Sequence, residues 1–211
     1  YYEIDNIIKD IEILYISSYN EEYEEKADEK ITNEITNGKF DSYQIALLNN
    51  ISKYIKKYNS NISILGKAPG KFANQEYEYY NSIFKNTNWN FIKSEVANSY
   101  KIVDKSKIVI VLNSTLGYES FSRGNKTIFF DIRSHLESLK TLKFGWPIEN
   151  LQRNGPFWTT DTSFEALEQI VNNVKNMEDS RWKDLNKNYI KRIMPRDNNN
   201  SIFKSLLDKY I

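Results

Sequence analysis

Cysteine is absent from all 211 residues, so the chain forms no disulfide and offers no thiolate. That fits a reducing compartment. Histidine occurs once, as His135, which excludes a metal site built on several imidazoles. No apolar run nears the roughly 20 residues of a membrane helix. The opening residues lack the charged-then-apolar pattern of a signal peptide. Charge excess is missing too: 29 Lys and Arg face 28 Asp and Glu, for a net charge of +1. Such balance gives no global pull toward nucleic acid or anionic lipid. An anionic ligand would have to be caught locally, and no nucleic-acid partner is expected.

What is present is an alternation of short apolar runs with amphipathic stretches. Ile11 to Tyr19 (IEILYISSY) reads as a buried strand opening into a small polar loop. Asn20 to Lys39 is charged and carries the turn signal Asn37-Gly38. Phe40 to Tyr58 places Tyr43, Leu47, Ile51, Tyr54 and Ile55 at helical spacing, with Asp41 or Ser42 as its cap. Ile62 to Leu65 is a second strand, followed by the loop GKAPGK from Gly66 to Lys71. Gln75 to Phe84 is a helix with an aromatic stripe, and Trp89 to Ile92 a third strand.

Ser99 to Lys105 reads as a short helix, and Lys107 to Leu112 (KIVIVL) as a strand covered on both faces. Asn113-Ser114-Thr115 follows, then a helix from about Leu116 to Arg123 that Gly124-Asn125 stops. Thr127 to Ile132 is the next strand, completing a βαβ unit. Thr162 and Glu165 have capping-box spacing ahead of Phe164, Leu167, Ile170 and Val174. Ser180 to Ile193 and Ile202 to Ile211 are further helices. The expected fold is therefore α/β: a Rossmann-like doubly wound parallel sheet with C-terminal helices. We expect one domain over 1–211, with a core at about 11–178 and a helical tail at about 179–211.

The segment placed to carry chemistry is Asn113 to Arg133, NSTLGYESFSRGNKTIFFDIR. Asn113, Ser114 and Thr115 sit where a central parallel strand ends and a helix begins. Backbone N–H groups there lack helical partners, and the helix dipole adds about half a positive charge. With the Ser and Thr hydroxyls, the turn has the donors a phosphate needs. Gly117 allows a close approach to the first helical turn, and Glu119 can accept hydrogen bonds from sugar hydroxyls. The same residue types also make an ordinary N-cap and dipole complement, so both readings stay open on spacing alone. Lys67, Lys71 and Arg133 can meet phosphate, or simply be solvated. Ser17, Ser18 and Tyr19 end the first strand on the same sheet edge as Ser114, as cleft lining or as plain loop. His135 is a candidate base or a loop residue. Trp146, Phe157 and Trp158 can stack on a ligand or anchor loops on the core. Asp161 belongs with the cap of the following helix. No Asp-x-Asp metal pattern occurs, and no cofactor or metal is expected.

This segment resembles the donor-binding βαβ unit in the C-terminal half of GT-B-fold glycosyltransferases, and is also similar to the matching unit of UDP-N-acetylglucosamine 2-epimerases. That pattern is a strand, a small-polar turn, a Glu in the next helix, then Gly before the next strand. Glu119 precedes Gly124 by the family's five residues. The resemblance thus implies that Glu119 holds the ribose and that Ser114 and Thr115 hold the diphosphate. NSTLGYE with RGNKTIFF, and FGWP (Phe144 to Pro147) and GPFW (Gly155 to Trp158) downstream, most resemble bacterial capsule and lipopolysaccharide enzymes of this group. The resemblance is strongest over 99–160.

It implies a nucleotide-sugar donor as substrate, a glycan acceptor, and a cytoplasmic location, free or peripheral at the inner membrane. Two departures stand out. The His-Pro pair of enzymes that use CMP-activated acids is replaced by Lys67-Ala68-Pro69. The acceptor half that normally precedes this unit is not seen, and we expect it to be a missing partner domain. A catalytic residue is not assigned. The alternative readings are a nucleotide-sugar epimerase-like enzyme and a non-catalytic degenerate transferase or interaction module.

Overall fold

The computed structural model describes residues 7–19, 39–68, 70, 72–93, 98–112, 114–135, 152–194 and 201–209. Asn20 to Gly38, Lys71, Asn113, Trp146 and the FGWP motif lie outside these residues.

Six strands form one parallel sheet: β1 (Ile11–Ile16), β2 (Ile62–Leu65), β3 (Trp89–Ile92), β4 (Ser106–Val111), β5 (Thr127–Phe130) and β6 (Trp158–Thr159). Their spatial order is β3-β2-β1-β4-β5-β6. Every neighbouring pair runs parallel, with Ile13 opposite Ile62 on one side and Ile108 on the other. This is the 3-2-1-4-5-6 order of the doubly wound fold, so the expected Rossmann-like architecture is observed. The strand order reverses direction between β1 and β4.

The helices are α1 (Lys39–Tyr58), α2 (Phe72–Phe84), α3 (Ser99–Asp104), α4 (Thr115–Ser122), α5 (Phe164–Lys175), α6 (Asp179–Ile193) and α7 (Ser201–Leu207). α1 packs against α2 and α5 on one face of the sheet, while α4 packs against α3 and α6 on the other. Burial on both faces explains why the central strands read as unbroken apolar runs. Ile13, Leu14 and Tyr15 of β1 and Val109, Ile110 and Val111 of β4 are all buried. The stripe Leu47, Leu48, Ile51, Tyr54 and Ile55 of α1 meets the sheet from one side, with Leu167, Ile170, Val171 and Val174 of α5 beside it. Phe121, Phe157 and Trp182 close the other side, their rings 4.7 to 5.9 Å apart.

Among the boundaries that differ from expectation, three concern caps and the end of β5. α1 begins at Lys39, so Asp41 and Ser42 lie inside its first turn instead of capping it. The N-cap of α5 is Ser163, whose hydroxyl accepts from the Ala166 N–H, and not Thr162. The Thr162 carbonyl is taken instead by the Asn50 side-chain amide at 2.8 Å. Strand β5 ends at Phe130, and Ile132–His135 forms a 3₁₀ turn.

Candidate functional site

In open parallel sheets, ligands bind beyond the carboxyl ends of the strands where the strand order reverses. Here that crevice lies between the residues following β1, Ser17 to Tyr19, and those following β4, Ser114 and Thr115. Gly66 and Lys67 follow β2 one strand outward, and the Ile132–His135 turn follows β5 on the other side. The topology therefore brings Ser17, Lys67, Ser114, Thr115 and Arg133 to one sheet edge. Asn113 lies outside the described residues, as does the Arg133 side chain.

On the β4 side the turn is ready to donate. Ser114 is the N-cap of α4, with extended backbone (φ −91°, ψ 135°), and its side chain makes no capping hydrogen bond. The Gly117 N–H closes back onto the Ser114 carbonyl at 3.0 Å. The N–H groups of Thr115 and Leu116 precede any acceptor that the helix can supply. Gly117 also has a packing role. A Cβ there would stand 2.7 and 2.8 Å from the two methyls of Val111. What approaches the first turn is thus a strand side chain, and the glycine serves close helix-on-sheet packing.

Glu119 lies one turn further along α4 and is half-buried. Its carboxylate accepts from the Tyr100 hydroxyl of α3. That bond, with lesser help from burial, raises the Tyr100 pKa above its ordinary value. The pair is held from below. Arg123 lies over the Tyr100 ring at 5.4 Å and makes a two-pronged ion pair with the buried Asp104, its Nε 2.9 Å from Oδ1. Asn125 Nδ2 donates to the same carboxylate at 2.9 Å. The end of α4 is a Schellman motif. Gly124, at φ +92°, donates to Phe121 O, and Asn125 N donates to Ser120 O. The predicted stop at Gly124 is thus observed, and it delivers Asn125 to Asp104.

On the β1 side the polar groups are already engaged. Ser17 is buried, its hydroxyl donates to Glu76, and it lies 2.9 Å from the Tyr80 hydroxyl. The same oxygen accepts from the Tyr19 N–H at 3.1 Å. Glu76, fully buried on α2, also takes the Lys67 N–H at 3.1 Å and the Ala68 N–H at 2.9 Å. One carboxyl group therefore fixes both the β1 and the β2 loops. Burial pushes the Tyr80 hydroxyl well above its ordinary pKa, so it remains protonated within this cluster. Ser17 shapes the cleft wall by this bonding instead of offering a spare hydroxyl.

The sequence reading missed Glu76. Its signal was register: Phe72, Glu76, Tyr80 and Phe84 recur every four residues, so the carboxyl sits in line with Tyr80 and Phe84, which are buried as it is. Lys67 is exposed, and desolvation draws its ammonium below the usual lysine pKa against the opposing pull of Glu76.

The remaining candidates fall to structural roles. The His135 ring stacks on Tyr43, with centroids 4.5 Å apart, and its Nε2 faces the Thr160 carbonyl. Phe157 and Trp158 are buried in the core, Trp158 within the short β6 and donating to Gln152 O at 3.0 Å. The GPFW motif is a core anchor, and its Gly155 lies flat against the Trp158 ring. Asp161 accepts from the Ser163 N–H ahead of α5, as expected of a capping segment.

The whole chain, residues 1–211, matches the family described as "putative O-antigen biosynthesis protein". It belongs to that family. No curated protein shows significant sequence similarity to it. Among solved structures, a mutant of S. aureus TarM in complex with fondaparinux, alpha-GlcNAc-glycerol and UDP aligns with a TM-score of 0.46 at 13% identity. The alignment covers 99% of this chain and 38% of that one, so the chain spans well under half of that structure's length. Among the described residues, no helix is long and apolar enough to cross a membrane.

Proposed function

We propose that this O-antigen biosynthesis family member binds the nucleotide-sugar donor of a glycosyltransferase reaction that builds a bacterial surface polysaccharide. One observation carries the reading. The strand order puts the α4 N-terminus, with its uncapped Ser114 hydroxyl, at the point where the sheet reverses. A diphosphate seated there receives the Thr115 and Leu116 N–H groups, the Ser114 hydroxyl and the positive end of the helix dipole.

Glu119, one turn away, then accepts from the ribose hydroxyls. A carboxylate has about four acceptor positions, so the bond from Tyr100 leaves room for a diol. Lys67 stands on a loop that flanks the crevice and supplies positive charge toward the leaving phosphate, and the Ile132–His135 turn brings Arg133 to the same sheet edge. Stabilising a nucleoside diphosphate as it departs is the chemistry these groups can perform. The base that activates the acceptor hydroxyl is assigned to no residue described here.

The test is a calorimetric titration with CMP, UDP, GDP, ADP and dTDP, on the chain and on Glu119→Ala. One nucleotide should bind selectively. Loss of the ribose contact should weaken it by about 10- to 100-fold, since a hydrogen bond to a charged group contributes roughly 1.5–3 kcal/mol. An unchanged circular dichroism spectrum of the variant separates loss of contact from loss of fold. Failure of every nucleotide to bind overturns the reading in favour of an interaction module.

A further inference from the structure

The outer edge of the sheet carries a second feature. Trp89 and Phe91 alternate along β3 and so project from one face of it. Tyr77 of α2 meets both, with ring centroids 5.5 Å from Trp89 in a stacked arrangement and 5.7 Å from Phe91 edge-on. Together with Asn90 and Lys93 these rings line a cavity of about 300 Å³. β3 ends the strand order, and Tyr77 is 39% exposed. Three rings gathered at this edge, bordered by the Lys93 ammonium, form a surface with apolar faces and a charged rim.

We propose that this cavity is a saccharide subsite that takes one acidic sugar unit of a glycan. A pyranose ring has the complementary make-up: an apolar C–H face and a periphery of hydroxyls. Its C–H groups carry slight positive charge and suit the negative faces of Tyr77 and Trp89. Lys93 pairs with a carboxylate on the ring. The volume lies at the low end of small-molecule sites, which run from roughly 300 to 1,000 Å³, and suits one or two sugar units.

Its location gives the site a use. Phe91 also packs against Gly66, where a Cβ would lie 2.5 Å from the Phe91 Cζ. The cavity thus shares a wall with the β2 loop that borders the proposed donor crevice. A glycan held here runs alongside that crevice, as an acceptor chain must. The inference rests on the donor reading for this use, and on the cavity's own residues for its ligand.

The test uses the full chain and ¹H–¹⁵N spectra of its tryptophan indoles, with trigalacturonic acid and chitotriose as probes. The Trp89 signal is assigned by its disappearance in Trp89→Phe. Trigalacturonic acid at about 10 mM should shift that signal, and Tyr77→Ala should weaken the binding roughly fivefold or more. Lys93→Gln should weaken trigalacturonic acid and leave chitotriose unchanged. Nucleotide affinity should be the same in Tyr77→Ala as in the parent chain.

No shift of the Trp89 signal with either sugar overturns the proposal, as does a shift that Tyr77→Ala leaves intact. A shift that depends on chain concentration with no sugar present also overturns it, in favour of edge pairing between two copies. Loss of nucleotide binding with the sugar-induced shift retained would sink the donor reading and leave the subsite standing.

Discussion

Glu76 offers the sharpest test of how the cleft wall is built. Replacing it with alanine strips the acceptor from two backbone N–H groups and the Ser17 hydroxyl, all at a fully buried side chain. An orphaned buried donor costs roughly 1–3 kcal/mol. Lys67 and Ala68 lie on a partly open loop where water can replace some of the loss. The lower part of that range therefore applies to them, and the sum comes to about 3–5 kcal/mol. Against a total of roughly 5–15 kcal/mol, that is a severe loss.

Glutamine should behave differently. Its carbonyl oxygen can take the Lys67 and Ala68 N–H groups, while its amide donates to Ser17 Oγ. Ser17 then passes its own hydrogen to Tyr80, whose hydroxyl is already 2.9 Å away. Glu76→Gln should therefore cost only about 1 kcal/mol. Urea unfolding followed by circular dichroism, with the slope checked for constancy, measures both variants. Equal losses for alanine and glutamine, or a loss under about 1 kcal/mol for alanine, would refute the claim that this carboxyl fixes the two loops.

Two further outcomes follow from the packing and the charges. Gly117→Ala should lose roughly 1–3 kcal/mol by overpacking against Val111, and the double variant with Val111→Ala should recover most of it; thermal denaturation of the three variants checks this, and simple additivity would contradict it. Glu12 bears on acid stability. Burial alone would raise its carboxyl pKa, but the Asn61 N–H at 2.9 Å and the Lys175 ammonium at 3.0 Å outweigh burial and hold it below the ordinary value. Its contribution is complete above the unfolded carboxyl value of about 4.3 and fades as pH falls through the folded one; for so open a pair it is at most about 1 kcal/mol. Urea midpoints from pH 7 down to 3 should therefore fall less steeply in Glu12→Gln than in the parent, and parallel curves would exclude the contribution.

The elements readable in the sequence are those whose pattern is set by a single physical cause. KIVIVL reads as a central strand because both faces are covered, and Gly124 reads as a helix stop because the chain needs φ of +92° there. The doubly wound parallel fold was within reach because the βαβ handedness leaves few ways to wind such a chain. β6 was not readable. It has two residues, held by Phe129 N to Phe157 O and Asp131 N to Thr159 O, and its identity lies in those partners. The cap of α5 slipped by one residue because Thr162 and Ser163 are both able to cap, and the choice was made by Asn50 of α1 taking the Thr162 carbonyl. Ser17 and Glu119 were legible as residues that follow β1 and β4. Their partners Glu76 and Tyr100 were not, because each arrives from a different helix.

The two sides of the crevice therefore differ in kind. On the β1 and β2 side, Ser17, Tyr80, Glu76 and the Lys67 and Ala68 N–H groups satisfy one another, so a ligand finds there a wall that is fixed before it arrives. On the β4 side the Ser114 hydroxyl is not used for capping, and the first N–H groups of α4 have no helical acceptor. An arriving anion gains most where donors are unspent, so the α4 turn is where phosphate recognition falls on the donor reading. Glu119 is tied to Tyr100, and Tyr100 is in turn backed by the Arg123–Asp104 pair. A carboxylate oriented in advance loses less freedom when it meets a ribose than a free surface side chain would. On the proposed donor reading, this division between a self-satisfied wall and a turn with free donors suits the edge of the sheet to holding one end of a charged donor.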